Sequence, residues 1–258
     1  MKTYYLLLIF IGLIGNSTFS QYLHQENRKV YSDTNFTILY TGDLISNYDN
    51  SKIKNKWKYV NGIIHGESIL YYENGQIFHK WMYVDGLPQG ESIQYYENGE
   101  VKEKGIYNNG LPTGEFLTYY NTGRIKEKEN YLDGLKNGVF SDFYENGHIS
   151  LKKTYLNGIL NGESIIYNQE GKIERKEKIV KGETHGESII YFSDGTIRQK
   201  LNYINGIPEG ETLFYTKIGH LILKETYKNG MLNGEKLTYS KNGKVKIREL
   251  YENGVLKK

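Results

Sequence analysis

The chain has 258 residues, a formal net charge of +3 and unusually high numbers of glycine (29) and tyrosine (25). So small an excess of positive charge gives no reason to expect a nucleic-acid partner. The absence of cysteine excludes disulfide bonds and a lipid-anchored cysteine after an export signal. Abundant tyrosine and β-branched residues, with only 38% apolar residues overall, predict strands.

Residues 1–20 have the pattern of a cleaved secretory signal peptide. Lys2 supplies a positive charge, an apolar run extends from Tyr4 to Ile14, and small polar residues follow up to Ser20. A membrane anchor is the alternative interpretation, but the run is shorter than the roughly 20 residues that a spanning helix needs. We therefore expect export to the periplasm, the cell surface or the medium.

The next two segments differ from the rest of the chain. Residues 21–34 are polar and aperiodic, and we interpret them as a leader or linker. In residues 35–58, Gly42 and Tyr48 lie one period before a glycine and a tyrosine of the regular units, and Ser51 stands at a turn-glycine position. We interpret residues 35–58 as a degenerate capping repeat, because terminal repeats are often atypical.

A unit of 24 residues recurs from Tyr59 onward without an insertion or a deletion. Eight units fill residues 59–250, and residues 251–258 form a partial repeat. The units begin at Tyr59, Tyr83, Tyr107, Tyr131, Tyr155, Ile179, Tyr203, Tyr227 and Tyr251. We predict an all-β fold, an elongated and twisted single-layer antiparallel meander of β-hairpin repeats.

Glycine recurs at three positions of each unit. This predicts that the backbone there has a positive φ or lies too close to a neighbouring group for a side chain to fit. The first set is Gly62, Gly86, Gly110, Gly134, Gly158, Gly182, Gly206, Gly230 and Gly254. The second is Gly66, Gly90, Gly114, Gly138, Gly162, Gly186, Gly210 and Gly234. The third is Gly75, Gly99, Gly123, Gly147, Gly171, Gly195, Gly219 and Gly243.

The unit reads as a strand, a tight turn at the Asn-Gly pair, a second strand and a wider turn before the next unit. A two-residue loop would set Tyr71 opposite Phe78, whereas a three-residue loop ending in a glycine bulge sets it opposite Ile77. The apolar pattern favours the second loop, because a slip of one residue exchanges the faces of a strand. That loop would gather one apolar face from Ile69, Tyr71, Ile77 and Tyr83.

One unit reads Tyr83-x-Asp85-Gly86-x-x-x-Gly90-Glu91-x-x-x-Tyr95-Tyr96-x-Asn98-Gly99. It resembles the MORN repeat, in a variant form found in bacterial proteins that are sometimes described as antitoxins. The resemblance covers the chain from Tyr59 to its end. It implies a scaffold or interaction module, with membrane or lipid contact in some members, and it brings no catalytic residues. The predicted export signal argues against the role of a cytoplasmic antitoxin.

A row of cations occupies one position of the unit. Its members are Lys80, Lys104, Lys128, Lys152, Lys176, Lys200, Lys224 and Arg248. The functional interpretation is a ladder with a spacing of about 9.5 Å that faces an anionic polymer or an anionic lipid. The alternative, which the near-neutral charge favours, is a solvated face where these cations pair with neighbours such as Glu103, Glu127 and Glu129.

Two further rows have structural interpretations. A glutamate follows the second turn glycine at Glu67, Glu91, Glu115, Glu163, Glu187, Glu211 and Glu235. No second oxygen ligand recurs at the spacing of a calcium loop, so we expect a structural role. Tyrosine recurs at Tyr71, Tyr95, Tyr119, Tyr167, Tyr191, Tyr215 and Tyr239, where stacked cross-strand rings stabilise a sheet.

An additional tyrosine occupies one position in the first half of the chain only. The candidate binding surface is this tyrosine row on the opposite face, together with the neighbouring lysines: Tyr72, Tyr96, Tyr120, Tyr144, Lys80, Lys104, Lys128 and Lys152. No histidine pair has metal-binding spacing, and no nucleophile lies near a candidate base. We therefore expect no enzymatic activity, no metal and no cofactor.

Three functions fit these patterns. The first is an exported, non-enzymatic scaffold that binds another protein or a second copy of itself, since a single-layer sheet exposes two faces. The second is a module that binds glycans or the cell envelope through the tyrosine and lysine rows. The third is an antitoxin- or immunity-like inhibitor of a partner protein.

Overall fold

The structure, a computed structural model, describes residues 24–26, 29–33 and 35–257. The predicted signal peptide lies outside the described residues. Every regular element in the described ranges is a β-strand, and the chain divides into two compact units, one up to Gly99 and one from Glu100. No helix in the described ranges has the length and apolar character needed to cross a membrane.

The first unit contains nine strands: β1 His24–Glu26, β2 Lys29–Tyr31, β3 Gly42–Asn47, β4 Ile53–Val60, β5 Ile63–Ile64, β6 Gly66–Tyr71, β7 Ile77–Val84, β8 Leu87–Pro88 and β9 Gly90–Tyr95. Strands β1 and β2 form a short hairpin inside the segment interpreted as a linker. Val30 of β2 is only 5% exposed, and its backbone accepts a hydrogen bond from Tyr40 and donates one to Gly62. This hairpin therefore packs on the first repeats.

The second unit contains the remaining strands, which are β10 Val101–Asn108, β11 Leu111–Tyr119, β12 Ile125–Leu132, β13 Leu135–Lys136, β14 Gly138–Phe143, β15 Ile149–Leu156, β16 Ile159–Tyr167, β17 Ile173–Val180, β18 Glu183–Tyr191, β19 Ile197–Ile204, β20 Ile207–Pro208, β21 Gly210–Tyr215, β22 Leu221–Lys228, β23 Met231–Leu232, β24 Gly234–Tyr239, β25 Val245–Glu252 and β26 Val255–Leu256. The predicted all-β class is confirmed.

In each unit the strands follow one another as an antiparallel meander. The long strands pair one after another along the chain, from β3 to β9 and again from β10 to β25. Each two-residue strand pairs with the long strand before it, so that β4 also pairs with β6, β7 with β9, β12 with β14, β19 with β21 and β22 with β24. A second layer does not cover either face of these ladders in the described residues. The predicted single-layer hairpin repeat is confirmed.

The Asn-Gly turn has the predicted three-residue loop. The Gly75 amide donates to the Tyr72 carbonyl (2.9 Å), the Tyr72 amide donates to the Gln76 carbonyl (2.7 Å), and Tyr71 lies opposite Ile77. Gly75 closes the loop with a φ of 94°, in the left-handed region that favours glycine. In the degenerate repeat, Ser51 adopts the same conformation with a φ of 66°.

The predicted apolar face is wrong for one of its four members. After Ile77, residue Phe78 forms a bulge, so that His79 rather than Phe78 lies opposite Leu70. One extra residue reverses the side on which all later side chains of the strand point. Tyr83 consequently shares a face with Ser68, opposite to Tyr71 and Ile77.

The bulge defines two faces in every repeat. The core face contains the equivalents of Ser68, Leu70, His79, Trp81 and Tyr83, and most of the fully buried residues lie on it. The ion-pair face contains the equivalents of Glu67, Ile69, Tyr71, Ile77, Lys80 and Met82.

The turn between repeats is tighter than predicted. Val84 lies opposite Leu87, and the two residues between them have positive φ, 49° at Asp85 and 83° at Gly86. This is a two-residue type I′ turn, which suits the twist of the flanking strands and which Asn-Gly and Asp-Gly pairs adopt readily. The expected wider turn is therefore wrong, because the second glycine of this region forms a separate bulge after the turn.

One glycine outside the three predicted positions has a packing role. A Cβ atom on Gly105 would lie only 2.2 Å from a ring carbon of Phe116. Phe116 itself is 8% exposed and touches the rings of Tyr107 and Tyr131 edge-on. The ring of Phe116 therefore occupies the space that a side chain at position 105 would need.

Replacement of Gly147 by alanine should destabilise the second unit. Gly147 closes its turn at a φ of 90° and has no heavy atom within 4 Å of the added Cβ position, so the cost arises from the backbone alone. We expect a loss of about 1–2 kcal/mol in the free energy of unfolding, measured by urea denaturation. Glu145→Ala, at an exposed position of the same turn, is the matched control, and equal losses would contradict the turn assignment.

His79 lies in an aromatic cluster on the core face of the first unit. Its ring stacks on Trp81 with centroids 3.4 Å apart, Phe78 touches it edge-on, and Nε2 is 2.8 Å from Ser92 Oγ. Burial lowers the pKa of His79 to about 4. The imidazole is therefore neutral at pH 7.

Stability of the first unit should fall as the pH falls from about 6.5 to about 4. As the pH falls, His79 is protonated in the unfolded chain near its ordinary pKa of 6.5, but in the folded protein only near a pKa of about 4. Between these two values the unfolded chain binds more protons than the folded protein, so acidification favours unfolding. Denaturant unfolding at a series of pH values measures this loss. His79→Gln should flatten the profile in that interval, and an unchanged profile would refute the assignment to His79.

Candidate functional site

The predicted lysine row lies on the ion-pair face and is largely paired. Lys80 Nζ is 2.7 Å from Glu67 Oε1, and Lys176 Nζ is 2.7 Å from Glu163 Oε1. The same pair recurs as Lys128 with Glu115, Lys200 with Glu187, Lys224 with Glu211 and Arg248 with Glu235. These pairs are about half exposed, so each contributes little to stability, but together they neutralise the face.

The partners of the lysine row are not the ones that the sequence suggested. Six of the eight cations pair with the glutamate that follows the second glycine of the unit, whereas Glu103, Glu127 and Glu129 lie on the core face. Lys152 is different, since Val139 stands at the glutamate position and Lys152 forms no ion pair with the described residues. Lys104 Nζ lies 5.8 Å from the centre of the Tyr119 ring.

The additional tyrosines connect one repeat to the next. Each lies at the start of the Asn-Gly turn, where its hydroxyl donates to a backbone carbonyl of the following repeat: Tyr48 to Tyr71 (2.7 Å), Tyr72 to Tyr95 (2.8 Å), Tyr120 to Phe143 (2.6 Å) and Tyr144 to Tyr167 (2.7 Å). Tyr96 occupies the equivalent position. These hydroxyls have a structural role, and a binding role for the rings stays a prediction.

Loss of the Tyr144 hydroxyl should weaken the second unit. Tyr144→Phe removes the hydrogen bond to the Tyr167 carbonyl, which should cost about 0.5–1.5 kcal/mol in the free energy of unfolding. Tyr215→Phe is the matched control, because the Tyr215 hydroxyl has no hydrogen-bond partner among the described residues. Equal effects of the two changes, measured by urea unfolding, would argue against the tyrosine ladder.

A cleft with a largely polar lining lies on the core face of the second unit. It has a volume of about 260 Å³ and is built by strands β12 to β15. The residues that line it are Glu127, Glu129, Lys136, Phe140, Asp142, Leu151, Lys153 and Tyr155. We call this the charged cleft.

One side of the charged cleft is an ordered network around Glu129. Its Oε2 accepts a hydrogen bond from the Tyr131 hydroxyl (2.7 Å), and its Oε1 lies 3.0 Å from Lys136 Nζ. Burial and then the bond to Glu129 raise the pKa of the Tyr131 hydroxyl. Lys136 Nζ also lies 4.7 Å from the centre of the Phe140 ring and 5.7 Å from that of Tyr155. Rings in this cleft therefore already hold a cation against their faces.

The other side of the charged cleft brings carboxylates together. Glu127 and Asp142 lie directly opposite each other on adjacent strands, and Glu103 lies two strands away beyond Thr118. Burial and the charge of Glu127 raise the pKa of Asp142, while burial and the charges of Glu129 and Glu127 raise that of Glu103. Like charges in facing positions destabilise a sheet.

The positive groups near these carboxylates only partly compensate them. Lys126 Nζ lies 2.9 Å from Glu127, and the charge of Lys153 lowers the pKa of Asp142 without overcoming the effect of burial. An additional cation placed at the edge of the cleft would relieve the repulsion. The arrangement therefore suits a lysine or arginine side chain from another molecule.

Sequence reasoning did not identify the charged cleft. It placed Glu127 and Glu129 beside the lysine row because it did not include the bulge that reverses the faces. One signal was available, since this position is apolar at Trp57, Trp81 and Leu201 but carries a glutamate at Glu129, Glu177, Glu225 and Glu249.

Aliphatic side chains form a second exposed surface along the type I′ turns. In the second unit the opposed pairs Leu132 and Leu135 are 52% and 51% exposed, and Leu156 and Ile159 are both 53% exposed. Leu135 also packs over Gly158 of the next turn, which joins the two pairs into a row. Contiguous exposed apolar residues of this kind are typical of interaction surfaces.

Comparison with known proteins relates the fold to a family. The sequence model of the MORN repeat variant matches residues 64–85, 88–109, 112–133, 136–157, 184–205 and 232–253. Repeats of this family are generally modules that bind proteins or membranes. No curated protein matches the chain.

Solved structures give only distant similarity. Two examples are "Crystal Structure of TcdB2-TccC3", with 11% identity and a TM-score of 0.20, and "Crystal Structure of TcdB2-TccC3-TEV", with 11% identity and a TM-score of 0.21. Both alignments cover 83% of this chain but only 14% and 15% of the other. The family match and the 24-residue hairpin together show that the chain belongs to the MORN repeat variant family.

Proposed function

We propose that the protein is an exported, non-enzymatic scaffold that binds another protein through the charged cleft. The single observation that carries this proposal is the facing pair of Glu127 and Asp142 on a sheet face that is open to solvent. A basic segment of a partner would place its cation between these carboxylates. Its aliphatic stem would lie against the half-buried ring of Tyr155.

Three further observations support a protein partner. The charged cleft combines carboxylates with aromatic rings, which suits the cationic head and the apolar stem of lysine or arginine. The aliphatic row at Leu132, Leu135, Leu156 and Ile159 offers an apolar surface in the same unit. Members of the family are generally interaction modules. Export is supported by the charge and hydropathy pattern of residues 1–20.

We propose no enzymatic role for the charged cleft, and the chemistry of its lining residues supports this choice. Its carboxylates and lysines lie beside rings, without a serine, a cysteine or a histidine in reach as nucleophile or base. The raised pKa values of Glu103 and Asp142 have an electrostatic origin, since burial and neighbouring carboxylates account for their direction. Shifts of this kind also arise in sites that bind cations.

Neutralisation of Asp142 should weaken the binding of basic peptides. We expect Asp142→Asn to lower the affinity for a short lysine- and arginine-rich peptide by about tenfold, measured by fluorescence anisotropy at low salt. An acidic peptide of the same length should not bind. The affinity of the unchanged protein should fall as salt is added, because the contact is between charges.

The control for this experiment is Glu163→Gln, which removes a carboxylate from the ion-pair face instead. Asp142→Asn should also raise the free energy of unfolding by about 0.2–1 kcal/mol, because it removes a like-charge pair. Weaker binding by a more stable protein cannot result from unfolding. Equal binding by the two variants would exclude the charged cleft as the binding site.

A further inference from the structure

Both tryptophans of the chain lie on the core face of the first unit. Trp81 on β7 lies opposite Ser68 on β6. Trp57 on β4 follows Lys56, which pairs with Ile69, so Trp57 is level with Ser68 on the other side of β6. The two indoles therefore flank one serine, and both are half-buried rather than covered. We call Trp57, Ser68 and Trp81 the tryptophan platform.

The tryptophan platform carries polar groups without partners. Neither indole N–H donates a hydrogen bond to any residue that the structure describes. The Ser68 hydroxyl between them is also unpaired, and Ser68 is only 1% exposed. Tryptophan N–H groups and buried hydroxyls normally have a partner, because leaving them unpaired costs stability. The platform thus presents two accessible donors beside apolar rings.

The surroundings of the tryptophan platform are neutral. The ladder positions of this face in β3, β4, β6, β7 and β9 carry no Asp, Glu, Lys or Arg. Apart from glycine they are Leu44, Ser46, Asn55, Trp57, Tyr59, Ser68, Leu70, His79, Trp81, Tyr83, Ser92 and Gln94. His79 beside Trp81 is also uncharged at pH 7. The core face of the second unit, in contrast, carries Glu103, Glu127, Glu129 and Asp142. A complementary ligand for the platform is therefore uncharged and rich in acceptors.

The distance between the two indoles indicates which kind of uncharged, acceptor-rich ligand fits. Trp57 and Trp81 are two strands apart, which corresponds to about 9.6 Å across a sheet. A polyproline II helix advances about 9.3 Å in each turn of three residues, and its carbonyls have no internal hydrogen bonds. Consecutive turns of such a helix therefore present free acceptors at nearly the same spacing as the two indole donors.

We propose that the tryptophan platform binds a proline-rich segment of a partner protein in the polyproline II conformation. The indole N–H groups of Trp57 and Trp81 donate to carbonyls one turn apart, and proline rings lie against the indole and Tyr59 rings. Aromatic grooves suit this conformation, because the ligand is already extended and loses little entropy on binding. The platform lies in the first unit and does not depend on the charged cleft.

Intrinsic fluorescence tests this proposal directly, because the chain has only two tryptophans and both belong to the platform. We expect decaproline to change the emission of the full chain in a saturable manner. A glycine-serine peptide of the same length, which is neutral but flexible, should bind at least tenfold more weakly. An oligosaccharide of N-acetylglucosamine should leave the emission unchanged.

Variants separate the roles of the donors. Trp57→Phe and Trp81→Phe keep an aromatic ring and remove the N–H, so each should lower the affinity for decaproline by about tenfold, measured by calorimetry. Tyr71→Phe, on the ion-pair face, is the matched control and should bind normally. Gln94→Asp adds a charge beside the platform without altering either indole, and it should also weaken binding.

Some results would overturn the proposal. They are the absence of decaproline binding at millimolar concentration, an affinity for decaproline in both Trp→Phe variants equal to that of the unchanged protein, and binding of the oligosaccharide in place of decaproline. Thermal unfolding of each variant shows whether it is folded. If Trp81→Phe unfolds, Trp57→Phe and Gln94→Asp still decide the outcome, because normal binding by both would exclude the platform.

Discussion

The one-residue bulge after each Asn-Gly turn determines which side chains meet in this protein. Side chains alternate between the faces of a strand, so one inserted residue transfers every later side chain to the other face. The bulge at Phe78 places Tyr83 and Trp81 with Ser68, and it leaves Lys80 with Glu67. Both the ion pairs and the aromatic core depend on this shift. The same shift in the second unit creates the charged cleft.

Hydrogen bonds connect successive repeats within each unit. The turn glycine of one repeat donates to a carbonyl of the repeat before it, as Gly158 does to Lys136 (2.8 Å), and the tyrosine hydroxyls make a similar connection at the other edge. Each repeat therefore stabilises only its neighbours, as in other repeat proteins. A single-layer sheet has little buried core. These edge contacts therefore contribute a larger share of its stability than they would in a globular domain.

The two core faces differ in chemistry although they have the same backbone. In the first unit this face is neutral and aromatic, with Trp57 and Trp81 around a serine. In the second unit it is charged, with Glu127 facing Asp142. The ion-pair face hardly varies, because lysine and glutamate recur at fixed positions. A regular scaffold with one uniform face and one variable face can present different binding surfaces along its length, which fits an interaction module.

The sequence by itself determined the repeat, the strands, the three glycine positions and the loop at Asn74-Gly75. These features are local, since turn chemistry and period-2 alternation depend on residues that are close in the chain. Only the tertiary structure decided the type I′ turn between repeats, the face on which Tyr83 lies and the true partners of the lysine row. It also decided that Tyr144 bonds to the next repeat and that Glu127 meets Asp142. These outcomes depend on cross-strand register, which a bulge of one residue changes without a clear signal in the sequence.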